Sequence, residues 1–398
     1  MAGSEQLAVC LGCGCLCDDI AIGPGEDLTH ACAKGRDWFL DTVPPGEVAT
    51  IDARPASLEA ALEQASVLLF HAKAPIITGL KSLTIEAQRG AVALADHLGG
   101  LIDSSDSADS ARQAALARVG VVTASLGEVK SRADVVVFFG VEPSDTHPRH
   151  RERYSVDPQG RFLTRPRTVI VVDVTAETRL AVIATLRAML RNGRLDAARV
   201  EAATGLGYEQ LLGWVSTMSK ASYGAFFYGS DLDAATIESL FLLVRELNDR
   251  ARFVTIGLGG PGNSSGAEAV LTWQTGYPSA VDLASGVPRS LIGDTSALHR
   301  LDRGEADCLL VLGEGDPPPT GNRLPMIVIG PRATSHMAAS AVAISTGRPG
   351  IEVGGTVSRV DGVMLPLKPV KVSNLPGEAE LLEVLLRKVR ALGSNFPA

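Results

Sequence analysis

Five of the six cysteines fall between Cys10 and Cys32, and no other feature limits the fold of this chain as tightly. The run reads Cys10-Leu-Gly-Cys13-Gly-Cys15-Leu-Cys17, followed by Cys32-Ala-Lys-Gly35. Taken as C-x2-C-x3-C-x14-C, the set Cys10, Cys13, Cys17 and Cys32 can wrap one metal centre, because thiolates are soft ligands that select iron–sulfur clusters or zinc. The short spacings let one loop supply three sulfurs, and Gly12 and Gly14 let that loop turn tightly. Cys15 is left over, in mid-loop. A [4Fe-4S] cluster and a structural zinc both satisfy four cysteines. A disulfide framework belongs to small secreted domains and does not suit 398 residues.

A chain of this length is expected to form two or three domains with large cores. Apolar residues make up 45% and charged residues 21%, the balance of an ordinary soluble globular protein. The net charge of −8 argues against a nucleic-acid surface, and 5% aromatic residues leave few platforms for stacking bases. Residues 1–9 lack the basic start and apolar core of a secretory signal, and no run approaches the ~18 apolar residues of a membrane span. Cysteines gathered at one end, with Cys308 remote, fit metal ligation in a reducing cytoplasm.

Along the chain, residues 1–54 read as a cysteine module with little regular structure, closed by Pro44-Pro45-Gly46 and Arg54-Pro55. Ser57 caps a helix to about His71. A short buried strand over 74–79 and a helix from Thr84 to about His97 follow. Residues 103–110 are small and polar and lead into a helix from about Ala111 to Arg118. Val135-Val-Val-Phe-Phe139 is a continuous apolar strand, Thr168-Val-Ile-Val-Val-Asp173 the next, with a helix from about Glu177 to Arg191. Arg252–Ile256, Asp307–Gly313 and Pro325–Gly330 repeat the strand grammar, and Glu378 to Leu392 reads as an amphipathic helix. Strands alternating with helices predict an α/β fold with parallel sheets covered on both faces.

Glycines 257, 259, 260 and 262 lie between a strand and a helix starting near Ser265, where backbone N–H groups can cradle a phosphate; glycine-rich turns also occur without any ligand. Gly140 ends the strand Val135–Phe139 and is followed by Glu142-Pro143. Asp173 suits either a ribose or guanine edge or a helix cap. His147 and His150, with Arg149, Arg151 and Arg153, form a basic knot, read as exposed arginines that pair with acids or a partner. No histidine pair has zinc-hydrolase spacing, there is no Gly-x-Ser-x-Gly elbow, and no catalytic residue is assigned. Cys308, in mid-strand, reads as an inert thiol.

The segments Cys10–Asp19, Leu126-Gly-Glu-Val-Lys-Ser-Arg-Ala-Asp134, Gly140–Ser155, His147-Pro-Arg-His150, Thr272-Trp-Gln-Thr-Gly-Tyr-Pro278 and 350–367 carry a resemblance that spans nearly the full length. The chain resembles the formylmethanofuran dehydrogenase B-subunit family, within the large subunits of molybdenum and tungsten enzymes that hold bis-pterin guanine dinucleotide. It looks most like the B-subunit of the bacterial formyltransferase/hydrolase complex. The resemblance implies a cysteine module (1–54 plus about 347–375) that carries a [4Fe-4S] cluster or zinc on Cys10, Cys13, Cys17 and Cys32. It implies one α/β domain from 55–104 and about 218–346, a second inserted over 105–217, a terminal helix in 376–398, and no C-terminal barrel. Gly257, Gly259, Gly260, Gly262, Gly140 and Asp173 would be what remains of a pterin dinucleotide site. In the family the metal takes a Cys or selenocysteine near position 108, followed by His-Gly-Pro, yet residues 98–122 contain no Cys, His or Pro. Glu142 puts a carboxylate where the family has Asn and where pyrophosphate would lie, a repulsion of several kcal/mol at ~4 Å. Molybdopterin and tungstopterin are therefore expected to be absent.

The implied function is that of a non-catalytic scaffold in a complex that converts formyl-tetrahydromethanopterin to formate through a methanofuran-like carrier. Its partners would be formyltransferase, zinc hydrolase and barrel-domain subunits, with no nucleic acid and no membrane. Two alternatives stay open: an active tungsten or molybdenum dehydrogenase with an oxygen ligand such as Ser107 or Asp109, and a stand-alone nucleotide-binding protein.

Overall fold

The computed structural model describes residues 6–23, 27–41, 48–104, 107–163, 165–291, 295–315, 317–318 and 324–394. Within these the chain divides into two compact units. The first comprises residues 1–105, 260–359 and 364–398; the second comprises 106–259 and 360–363.

The first unit is built on an eight-stranded sheet. Its parallel centre is Leu101–Ile102, Pro75–Thr78, Cys308–Leu312, Met326–Gly330 and Val342–Ser345, in that order across the sheet. These strands are uninterrupted apolar runs, as strands covered on both faces must be. Antiparallel pieces finish the edges, with Val281–Asp282 on one side and Ala49–Ile51 and Arg54–Pro55 on the other. The helices Leu58–His71 and Ile85–Leu98 begin where their caps place them: Ser57 and Thr84 accept the N–H groups of Ala60 and Ala87. The helix Glu378–Ser394 packs against both, burying Leu381, Leu382, Leu385 and Val389 in the main core.

Residues 6–41 count with this unit and are more regular than expected. A three-stranded antiparallel sheet, Gln6–Ala8, Ile20–Ile22 and Leu28–Thr29, flanks the cysteine loop, and the helix Ala33–Leu40 follows Cys32. Residues 42–47, which contain the Pro44-Pro45-Gly46 boundary, lie outside the described residues.

The second unit is a four-stranded, wholly parallel sheet in the order Arg252–Gly257, Tyr223–Tyr228, Val135–Phe139, Thr168–Val172. Phe138, Phe139, Phe226, Phe227 and Phe253 fill its core. Because Tyr223–Tyr228 pairs with Val135–Phe139 on one side and with Arg252–Gly257 on the other, this unit runs to Gly259, past the boundary at 217 that the sequence suggested. Leu126–Asp134 serves this packing. Asp361 accepts the N–H of Leu126 at 2.6 Å, and the buried Asp134 accepts the N–H groups of Ser222 and Tyr223 and ion-pairs with Arg165.

Among the described residues no helix is long and apolar enough to cross a membrane.

Candidate functional site

The cysteine loop is wrapped by hydrogen bonds of its own. Cys10 donates its N–H to the Cys17 carbonyl at 2.9 Å, Leu16 donates to the Cys13 carbonyl at 3.1 Å, and the N–H of Gly12 points at the Cys10 sulfur at 3.3 Å. Such N–H···S contacts lend stability to a sulfur that carries negative charge. Cys10, Cys13, Cys15 and Cys17 are buried, Cys32 is partly exposed, and all six cysteines are thiols. Burial pushes the Cys10 thiol up to about 12, and the nearby Cys17, Cys13 and Cys32 push the same way. Cys13 is lowered to about 7, chiefly by the side chain of Cys15, with Lys34 adding to the effect against burial. Cys15 thus acts on a neighbouring sulfur.

Cys32 is the N-cap of the helix Ala33–Leu40. One turn in, a Cβ on Gly35 would sit 3.4 Å from the Cys10 sulfur and 3.9 Å from the Cys32 sulfur. The glycine leaves a cradle between the two. The four cysteines singled out in the sequence are therefore neighbours. Among the described residues, however, no group of three or more His, Cys, Asp or Glu side chains is already gathered around a metal position.

The glycine turn serves two purposes. Gly262 gives its N–H to the carbonyl of Leu11, at 3.1 Å, and Asn263 gives its N–H to the carbonyl of Lys81, at 2.6 Å. Amides that a phosphate would use are thus committed to protein carbonyls. Gly260 and Gly262 belong to the first unit, Gly257 and Gly259 to the second. A Cβ on Gly257 would lie 2.9 Å from the Tyr228 ring, so that glycine is needed for packing within its own sheet.

At the strand ends of the second unit, the side chain of Arg179 covers Gly140, its Nε 3.3 Å from where a Cβ would stand. Arg179 ion-pairs with Asp231 at 2.6 Å. Asp173 is exposed, and it is Thr178 that stands at the N-cap of the helix Arg179–Leu190, so Asp173 does not cap it. Glu142 accepts from the N–H and hydroxyl of Ser144 and ion-pairs with Arg151 at 3.1 Å. Burial opposes its ionisation, but these partners hold it below the usual carboxylate range.

The arginines of the basic knot pair with acids as read, Arg149 with Glu152 at 2.6 Å and Arg151 with Glu142 at 3.1 Å, but they are half-buried. His147 and His150 are buried. His150 stands edge-on to Phe227 with centroids 4.5 Å apart, and its Nδ1 shares a hydrogen bond with the Ser155 hydroxyl at 2.9 Å across a π-helical turn, Arg151–Ser155. Burial holds its imidazole down to about 3.

In the segment expected to hold a metal ligand, Asp103 is buried and accepts the N–H of Ala297 at 2.7 Å. Residues 105 and 106 lie outside the described residues, and a helix, Ser107–Val119, begins at once.

The fold is similar to a chain in the crystal structure of the formyltransferase/hydrolase complex (FhcABCD) from Methylorubrum extorquens in complex with methylofuran. That likeness has a TM-score of 0.76 at 24% identity and covers 87% of this chain and 99% of that one. Acetylene hydratase from Pelobacter acetylenicus follows at a TM-score of 0.61 and 12% identity, over 98% of this chain and 70% of that one.

The chain matches no family model. It is 31% identical to the B-subunit of the tungsten-containing formylmethanofuran dehydrogenase 2 of Methanocaldococcus jannaschii, over 96% of this chain and 98% of the relative. The Methanococcus maripaludis protein of the same name is 30% identical over the same shares. The B-subunit of the formyltransferase/hydrolase complex Fhc of Methylorubrum extorquens is 25% identical over 84% of this chain and 95% of the relative. The chain belongs to the formylmethanofuran dehydrogenase B-subunit family.

Proposed function

We infer that this chain is a non-catalytic subunit of a cytoplasmic formyltransferase/hydrolase complex, one that passes a formyl group from tetrahydromethanopterin to a methanofuran-like carrier and releases it as formate. One observation carries the reading: residues 98–122 contain no Cys, His or Pro, so the soft ligand and its neighbours that a pterin-bound metal needs are not supplied there. The site residues agree. The amides of Gly262 and Asn263 are committed to protein carbonyls, and the ionised Glu142 would face pyrophosphate charge. These residues do not fit a pterin dinucleotide. The committed amide at Gly262 equally withdraws support from a stand-alone nucleotide-binding role.

The cysteines do fit a metal centre. Cys10, Cys13, Cys17 and Cys32 would hold a [4Fe-4S] cluster or a zinc, whose chemistry here would be to fix the fold of the N-terminal segment, since metal binding and folding are thermodynamically coupled. The transferase, hydrolase and barrel domains would reside in partner chains. Large exposed apolar side chains such as Trp273, 60% exposed, with Val287 and Leu291 are the sort of surface that a partner covers.

One observation favours a second reading, an active tungsten or molybdenum dehydrogenase: the identities to the two tungsten-containing relatives exceed that to the Fhc subunit. Affinity purification of the tagged chain from its native cells, with assay of the eluate for release of formate from formyl-tetrahydromethanopterin, tests the scaffold reading. Partner chains and activity should elute together. A soluble, monodisperse lone chain would contradict it.

A further inference from the structure

The helix Ala33–Leu40 carries Cys32 at one end and meets a buried arginine at the other. Arg348 is 3% exposed and follows the strand Val342–Ser345. Its Nη1 donates to the carbonyls of Trp38 at 3.0 Å and Asp41 at 2.9 Å, and its Cζ lies over the Trp38 ring, 4.3 Å from the centroid. Trp38 belongs to the last turn of the helix, whose carbonyls have no intrahelical donor. The opposite edge of the guanidinium is taken by Glu314, with Nε at 2.5 Å and Nη2 at 3.4 Å, just beyond the strand Cys308–Leu312. The backbone N–H of Arg348 is itself fixed on the Glu352 carboxylate at 2.9 Å. Only a forked cation can lie over a ring, bind a carboxylate along one edge and reach two carbonyls at once.

An eight-residue helix with a glycine inside is marginal alone, so its direction is set by what holds its ends. The Cys32 end faces Cys10 across the Gly35 cradle. The other end is tied to the main sheet by Arg348, with a second tie from Arg332 to the Asp41 carboxylate. We propose that Arg348 is a positioning residue of the cysteine centre: by gripping the Trp38 and Asp41 carbonyls it aims Cys32 at Cys10, Cys13 and Cys17. The proposal rests on the reading of those four thiols as metal ligands.

Cobalt(II) is the probe, because tetrahedral four-thiolate cobalt absorbs more strongly in the visible than three-thiolate cobalt. The full-length protein, metal-free and anaerobic, is compared with Arg348→Met and Arg348→Lys. In the same metal-free samples, alkylation of Cys32 by iodoacetamide is followed by tandem mass spectrometry, with Cys308, buried at the start of its strand, reporting on the fold. Wild type should give the four-thiolate spectrum. Arg348→Met should bind cobalt about tenfold or more weakly, with the three-thiolate spectrum. Its Cys32 should alkylate several-fold faster while Cys308 stays protected. Arg348→Lys should recover part of both, since an ammonium can still donate to the two carbonyls. Wild type that binds no cobalt would sink the metal reading and leave the positioning claim to be decided by the Cys32 rate. An unchanged Cys32 rate in Arg348→Met overturns the proposal, whatever cobalt does. Should Arg348→Met expose Cys308 too, Glu314→Gln, which keeps the arginine but removes its carboxylate partner, is judged by the same criteria.

Discussion

Gly262 donates its backbone N–H to the carbonyl of Leu11, the residue between Cys10 and Gly12. The contact ties the cysteine loop to the start of the helix Ser264–Thr275. Gly262 has φ +64, and a Cβ there would stand 2.8 Å from the Lys81 carbonyl. Gly262→Ala should therefore cost about 2–4 kcal/mol, from left-handed backbone plus the clash. Gly205→Ala, with φ +69 but nothing within 4 Å, should cost only about 1–2 kcal/mol. Denaturant midpoints at constant m-value measure both, and only Gly262→Ala should speed proteolysis within residues 1–54.

Gly35→Ala separates stability from metal binding. Its methyl would make ordinary contacts of 3.4–3.9 Å with the Cys10 sulfur, Ala31 and the Cys32 sulfur. In a helix interior alanine gains up to about 1 kcal/mol over glycine. The same methyl occupies space that a metal ~2.3 Å from each sulfur would need. Thermal unfolding of the metal-free variant should be unchanged or raised, while zinc affinity, read by competition with a chromogenic chelator, should fall on the order of tenfold or more.

Glu378 begins the terminal helix with its carboxyl buried, accepting the Thr346 hydroxyl at 2.7 Å. Burial pushes it up to about 7 from 4.5; the Thr346 hydroxyl and its own backbone N–H pull back, and Glu314 pushes the same way as burial. A carboxyl that binds its proton more tightly when folded contributes stability that is fully present below the unfolded pKa of 4.5 and is lost as pH rises through about 7. Glu378→Gln should flatten this part of the pH profile. At pH 8 it should be more stable than wild type by on the order of 1–3 kcal/mol, measured by chemical denaturation.

His150 acts in the opposite direction. Its imidazole is held down to about 3 by burial, with His147 and Arg151 adding, against an ordinary 6.5. The neutral ring packs on Phe227, and the contribution is complete above pH 6.5 and lost as pH falls toward 3. His150→Phe should keep the aromatic packing and flatten the acid limb of a melting-temperature profile. An unchanged acid limb would show that other groups set it.

Much of the fold was legible because caps and apolar runs are local signals. Ser57, Thr84 and Val135–Phe139 mark elements that stand where the sequence placed them. The strand Tyr223–Tyr228 was missed, and with it the boundary between the units. It is aromatic and holds Gly224, which reads as a breaker until the Phe253 ring is seen filling the space where its Cβ would be. The short edge strands Ala49–Ile51 and Val281–Asp282 exist only through pairing with distant partners. The cysteines were legible because their spacing is local. Arg348, Glu314, Trp38 and Glu378 were not, since four scattered polar or aromatic residues meet only once the sheet is assembled. The burial of His147 and His150 was hidden by the arginines beside them, although Tyr154, one helical turn past His150, was an available sign of an inward face.

The claim that this subunit has lost redox chemistry is tested most directly by elemental analysis of the purified native complex for tungsten, molybdenum, iron and zinc, run beside a viologen-coupled dehydrogenase assay with formate and with the formylated carrier. The expected result is no stoichiometric tungsten or molybdenum at this subunit and no viologen reduction, with iron or zinc present in proportion to the cysteine centre. One tungsten or molybdenum per chain together with viologen-coupled turnover would contradict it.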